Sequence, residues 1–220
     1  MSSLGALLAL RKDFLNLSDI LKSGGIKYSD ERARHLIAGG FPSESALAYA
    51  YDKKFIVLPG PARPMNLVNI YNNWPWSFRK TFFDDPPFNY FSTFDKFKNE
   101  NKFALEDTVK PGWYMLAKDI LPGSASKTLS EQFELLADEG YAPPDKYIPN
   151  TAELAWCLTM YAMARGTRLL HNIYVRTSSV HEDGNRILVG RFDRFGLRVT
   201  NYRKDDSRNI AGIVPIFRFN

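Results

Sequence analysis

The sequence holds one cysteine, Cys157, and three histidines, His35, His171 and His181, in 220 residues. A single thiol excludes an internal disulfide and a thiolate metal cage. Cys157 sits between Trp156 and Leu158 in a helical pattern, the setting of a buried inert thiol rather than of a nucleophile. His171 and His181 have no neighbouring Cys or Glu at metal-ligand spacing. Asp205-Asp206 could hold a hard cation, but adjacent carboxylates usually point apart in a loop and about six to eight oxygens are needed, so metal binding is not expected. Nucleophile elbows, P-loops and GxGxxG fingerprints are also missing. The expectation is therefore a protein without catalytic residues, metal or cofactor. Long apolar runs are lacking too, none approaching the roughly 20 residues of a membrane helix. The stretch from Leu4 to Leu10 is short, has no basic residues before it and is followed by Arg11-Lys12, which does not read as a signal peptide. Membrane insertion is not expected, and location and oligomeric state stay open.

What is present is 45% hydrophobic, 14% aromatic and 24% charged, a composition that packs a core. The net charge of +5 is unevenly spread. Residues 1–170 carry 20 basic and 19 acidic side chains, whereas residues 171–220 carry 9 basic and 5 acidic ones, and 8 of those 9 are arginine. Arginine forks recognise carboxylates, phosphates and aromatic faces, so the tail reads as a contact surface. A pI near 9.2 would suit nucleic acid, which is the alternative reading. Against it, Glu182, Asp183, Asp193, Asp205 and Asp206 interleave with the arginines and would repel phosphates. Mixed sign suits a protein partner better.

Leu7, Leu10, Phe14, Leu17 and Leu21 keep a helical spacing, predicting one helix from Ser2 to Leu21 that ends at Gly24-Gly25. Helices are also predicted for Ser29–Ala38 and Ser43–Tyr51, each opened by a serine cap, and a strand for Lys54–Leu58. From Tyr71 to Phe97 there are eleven aromatic residues, either a stacking platform or an irregular segment that buries its rings against a neighbour. From Val109 the pattern turns regular. Gly112–Ala117 reads as a strand. Lys127–Glu139 reads as a helix with an apolar stripe of Leu129, Phe133, Leu136 and Ala137. A second helix runs from Asn150 or Thr151 to about Ala164. Strands follow at Asn172–Thr177, Arg186–Phe192, Gly196–Tyr202 and Ile210–Phe219, the last interrupted by Pro215. This order predicts an α+β domain over residues 109–220, two helices on one side of an antiparallel sheet, with a mainly helical, aromatic-rich region, 1–108, packed on it.

The elements Gly112-Trp113-Tyr114, Tyr174-Val175-Arg176-Thr177-Ser178-Ser179, Ile187-Leu188-Val189-Gly190, Gly196-Leu197-Arg198-Val199 and Gly212-Ile213-Val214-Pro215-Ile216-Phe217-Arg218-Phe219 follow one another in an order that is familiar. Together they resemble the C-type-lectin-like domain of variable proteins from diversity-generating retroelements of phages, bacteria and archaea. In that family a reverse transcriptase rewrites the 3′ end of the gene at template adenines, and the altered codons diversify a ligand-binding face. The resemblance covers about Val109 to Asn220. It implies a receptor-type protein whose ligand is most readily a protein surface, and a site on virion or cell surface becomes possible. The Glu-Pro-Asn, Gln-Pro-Asp and Trp-Asn-Asp triplets of calcium-dependent lectins are absent, so any such binding is calcium-independent.

Apolar positions of the tail form a sparse skeleton that includes Val175, Ile187, Val189, Leu197, Val199 and Ile213, separated by polar residues of types reached from adenine-containing codons. Alternation along the strands sends Arg186, Leu188, Gly190, Arg198 and Thr200 to the face opposite Ile187, Val189, Leu197 and Val199. By resemblance the variable face comprises Arg176, Ser178, His181, Arg191, Asp193, Arg194, Phe195, Arg198, Asn201, Tyr202, Arg203, Asp205, Asp206, Arg208 and Asn209. Tyrosine and arginine supply anchoring area there, and Asn, Ser and Asp supply adaptable hydrogen bonds.

Overall fold

The computed structural model describes residues 3–38, 40–77, 101–202 and 211–219. The single N-terminal helix expected from leucine spacing is broken into α1 (Ser3–Leu10), a 3₁₀ turn (Arg11–Asp13) and α2 (Leu17–Gly24). The break has a local cause. Asn16 and Asp19 form a reciprocal capping box that starts a new helix, and Phe14 is drawn out to bridge Val57. α3 (Asp30–Ala38) and α4 (Glu44–Asp52) start beside Ser29 and Ser43, whose hydroxyls accept from the N–H groups of Arg32 and Ala46. After β1 (Phe55–Pro59) and β2 (Met65–Asn66) comes α5 (Leu67–Asn73), started by a second Asn-based capping box at Asn66 and Asn69. The chain continues through α6 (Lys102–Glu106), β3 (Thr108–Val109), β4 (Trp113–Ala117), α7 (Leu129–Asp138) and α8 (Thr151–Arg165). It closes with β5 (Tyr174–Val180), β6 (Arg186–Asp193), β7 (Gly196–Tyr202), β8 (Ala211–Gly212) and β9 (Ile216–Phe219). The architecture is mixed α+β, with eight α-helices among the described residues. No helix among them is long and apolar enough to cross a membrane.

β4 is the centre of a three-stranded antiparallel sheet of order β1-β4-β9. Trp113 pairs with Phe219, and Leu116 with Ile216, so the strand that opens the C-terminal region meets the strand that closes it. On the other edge Phe55 pairs with Ala117 and Pro59 with Trp113, which brings a strand of the first hundred residues into the same sheet. With both edges paired and both faces covered, all five residues of β4 are buried, which explains its unbroken apolar run. Phe14, from outside the sheet, adds a parallel bridge to Val57 of β1.

The other large sheet has order β7-β6-β5-β8 and is not wholly antiparallel, since β8 runs parallel to β5. The expected final strand is split. Ala211–Gly212 joins this sheet and Ile216–Phe219 joins β4, with Pro215 between the two pieces, where its missing N–H breaks no ladder. Nor do the helices share one side of it. α8 packs on the face of Val175, Ile187 and Val189, while the neighbouring Arg176 points the opposite way and donates to the Lys127 carbonyl and to Gln132 Oε1 of α7. On α7 the inward residues are Gln132 and Leu136, and Ala137, expected inside, is exposed. Gln132 is buried because its amide also donates to the carbonyls of Ser124 and Ala211.

α8 runs through the middle of the molecule. Asn150 and Glu153 cap its start, Gly166 closes it at a φ of 66°, and every residue from Thr151 to Tyr161 is buried. Trp156, fully buried, donates its indole N–H to the Pro59 carbonyl at 3.0 Å, and Trp74 packs edge-on against it. Cys157 is buried as well, and desolvation pushes its thiol pKa well up. The eight aromatic residues that follow Trp76 in the run, Phe78 to Phe97, lie outside the described residues.

Candidate binding face

The β6–β7 hairpin carries seven of the residues expected on the variable face, and five of them, Arg191, Asp193, Arg194, Phe195 and Arg198, gather at its turn end. Gly190, at a φ of 151°, begins a bulge in β6, and a Cβ built there would lie 2.2 Å from the Ile173 carbonyl oxygen. Only glycine tolerates that approach. Arg191 follows at a φ of 42°, donates its N–H to Ile173, and is thrown outward with its guanidinium over the Tyr174 ring at 5.5 Å. At the turn, Asp193 Oδ1 accepts the Phe195 N–H at 2.8 Å, which fixes the reversal, and its other oxygen meets Arg198 Nη2 at 3.4 Å. Arg194 lies over the Phe195 ring at 4.7 Å, and Phe195 is 55% exposed. Underneath, Phe192 is buried and Arg168 reaches over its ring.

The opposite end of the sheet carries the β5–β6 turn. Asp183 accepts from the Asn185 N–H and contacts His181 Nδ1 at 2.9 Å. Desolvation pulls the Asp183 carboxyl up, but these hydrogen bonds outweigh it and hold its pKa below the ordinary value. Ser178 is half-buried, and its carbonyl accepts from Arg186, whose pKa is lowered by burial. The strand length between Asp193 and Arg186 separates the two turns by roughly 20 Å. Apart from Arg176, the described residues of the expected face therefore fall at two ends of one sheet rather than on one patch.

Arg176 is a correction. At 2% exposure, with acceptors on Lys127 and Gln132, it ties α7 to β5 and cannot meet an outside ligand. Leu188, assigned by alternation to the open face, is likewise buried, because that face is itself covered here. Asn201 and Tyr202 lie in β7, paired in register with Ile187 and Arg186. Arg203, Asp205, Asp206, Arg208 and Asn209 lie outside the described residues.

Sequence reasoning missed Tyr174 and Arg168, the partners in the two ring contacts that settle the hairpin on its base. A glycine inside a strand pattern at Gly190 was the available signal for the bulge. Among the described residues no group of three or more His, Cys, Asp or Glu side chains is arranged to hold a metal. Comparison with protein-family models, with curated proteins and with solved structures finds no match to this chain.

Proposed function

We propose that the protein is a non-catalytic, receptor-type binding protein that displays diversified side chains on a C-type-lectin-like scaffold, its variation written by a diversity-generating retroelement. The observation that carries this reading is the β4–β9 pairing, which ties the two ends of residues 109–220 together in one sheet while the long β6–β7 hairpin makes up half of a second. Within that hairpin the labour is divided. Val189, Phe192, Leu197 and Val199 are buried, while Arg191, Arg194 and Phe195 are exposed on a turn whose shape depends on backbone, Asp193 and Gly190. Exposed side chains of that kind can change without disturbing the core. An exposed aromatic flanked by arginines and carboxylates suits a protein surface as ligand.

Two measurements test it. The DNA beside the gene should contain a reverse-transcriptase gene and a near-copy of the 3′ coding region that differs only at adenines. A library randomised at Arg191, Arg194, Phe195, Asn201, Tyr202, Arg203, Asp205, Arg208 and Asn209 should consist mostly of folded members. Absence of the near-copy from the complete genome would remove the retroelement, and a library that mostly fails to fold would remove the display role.

A further inference from the structure

Two adjoining cavities open beside the C-terminus of α7, on the sheet that holds β9. One, of about 450 Å³, is walled by Tyr49, Tyr141, Tyr147, Phe217 and Phe219, and Glu139 is the one charged residue among its described lining. That is the size of a small-ligand site. Phe217 is the hub of that aromatic wall, with the rings of Tyr49, Tyr141 and Tyr147 set edge-on to it at 5.6, 5.9 and 5.3 Å. The hydroxyls of Tyr49 and Tyr141 bond each other at 2.7 Å, so their polar tips are satisfied and the rings remain as wall. The second cavity, of about 440 Å³, shares Glu139 and Tyr141 and adds Asp52 and Asp119 against Lys53 and Lys54. Those four charges cancel, which leaves Glu139 as the net charge of both spaces.

The placement of Glu139 is itself informative. It is the C-cap of α7, preceded by Asp138, in a helix whose last turn has no basic residue. The C-terminal end of a helix is its negative pole, so carboxylates there oppose the dipole and cost stability. Here that unfavourable charge is concentrated at the mouth of an aromatic cavity, and aromatic faces also present negative potential. Carboxylate, helix end and ring faces all favour the same ligand charge.

We propose that this cavity binds an organic cation, an alkylammonium or guanidinium group, held against the rings of Tyr147, Phe217 and Phe219 and countered by Glu139. The site shares no residue with the β6–β7 hairpin, so its failure leaves the display role untouched. The group can come from a free small molecule or from a side chain of a bound peptide. The test is calorimetric titration of the full chain with choline, with N-acetylarginine amide and with 3,3-dimethyl-1-butanol, the neutral isostere of choline. One cation should bind at one per chain and about tenfold tighter than the neutral compound, as attraction to desolvated rings and a carboxylate requires. Choline as the tighter cation assigns a free alkylammonium ligand, and the arginine amide assigns a peptide side chain. Glu139→Gln, an exposed position that leaves the fold intact by circular dichroism, should erase most of the cation's advantage and leave the neutral compound unchanged. Phe219→Leu should weaken the cation as well. If neither cation exceeds the neutral isostere, or if Glu139→Gln binds the cation as tightly as the parent chain, the proposal is overturned.

Discussion

Arg218 meets Glu153 through two contacts of 2.6 Å and also donates to the carbonyls of Lys146 and Ile148. It thereby locks β9 to the start of α8. The Glu153 side chain is 5% exposed and that of Arg218 is 29% exposed, so removing the guanidinium strands a buried carboxylate. Arg218→Met should cost about 2–3 kcal/mol in urea unfolding, somewhat below a fully buried pair because Arg218 keeps some water. The double change with Glu153→Gln should cost less than the sum of the single changes. Beside it, Asp107 accepts from the Ser179 hydroxyl, yet desolvation, with Glu153 and Glu106 nearby, raises its pKa. A carboxyl that holds its proton more tightly when folded favours the fold at low pH. Its contribution is complete below the unfolded pKa and is lost as pH rises through the raised folded value. Asp107→Asn should therefore be at least as stable as the parent chain at pH 7 and should lose the part of the pH dependence that Asp107 supplies. Melting temperatures of both proteins from pH 4 to pH 7 check this, and a variant markedly less stable at pH 7 would contradict it.

Along each element the sequence was legible where one local rule decided the outcome. The Thr128–Glu131 and Asn150–Glu153 boxes start α7 and α8 where spacing put them, and the two-residue turn of Arg194 and Phe195 sets the β6–β7 hairpin. It was illegible where a distant partner decided. Leucine periodicity runs through Phe14, but Val57 claims that backbone. Gln132 and Arg176 look solvent-facing by type and are buried because each satisfies the other together with three carbonyls. For the candidate face, strand alternation put Arg198 opposite Leu197 and Val199 but gave neither the bulge that re-aims Arg191 nor the cover over Leu188. The hairpin should respond to substitution in three ways. Arg194→Ala and Phe195→Ala should stay within about 0.5 kcal/mol of the parent stability. Val189→Ala, in the core, should cost about 1–3 kcal/mol. Gly190→Ala should be the worst of the set at about 3 kcal/mol, since its Cβ meets the Ile173 carbonyl at a backbone angle suited to glycine. Chemical denaturation of the four variants gives this order or refutes it.

At the scale of the whole molecule, described residues from both 1–108 and 109–220 build one shared core. The buried indoles of Trp113 and Trp156 donate to the Leu36 and Pro59 carbonyls, and Tyr161 and Lys118 both bind Asp13. A fragment of residues 109–220 should therefore fail to fold as a monomer, since β4 loses one edge and both indoles lose their acceptors. Circular dichroism and gel filtration of that fragment test this. The β4–β9 pairing has one more consequence, and it concerns synthesis. Met115 cannot meet Phe217 until almost half the chain has been translated after it, so the central sheet cannot close before β9 has been made. Under the proposed diversification the rewritten codons lie upstream of that strand. A stop codon created among them would delete β9, and the product would have no closed sheet. Under that proposal a truncated variant would fail at the folding step and would never reach display.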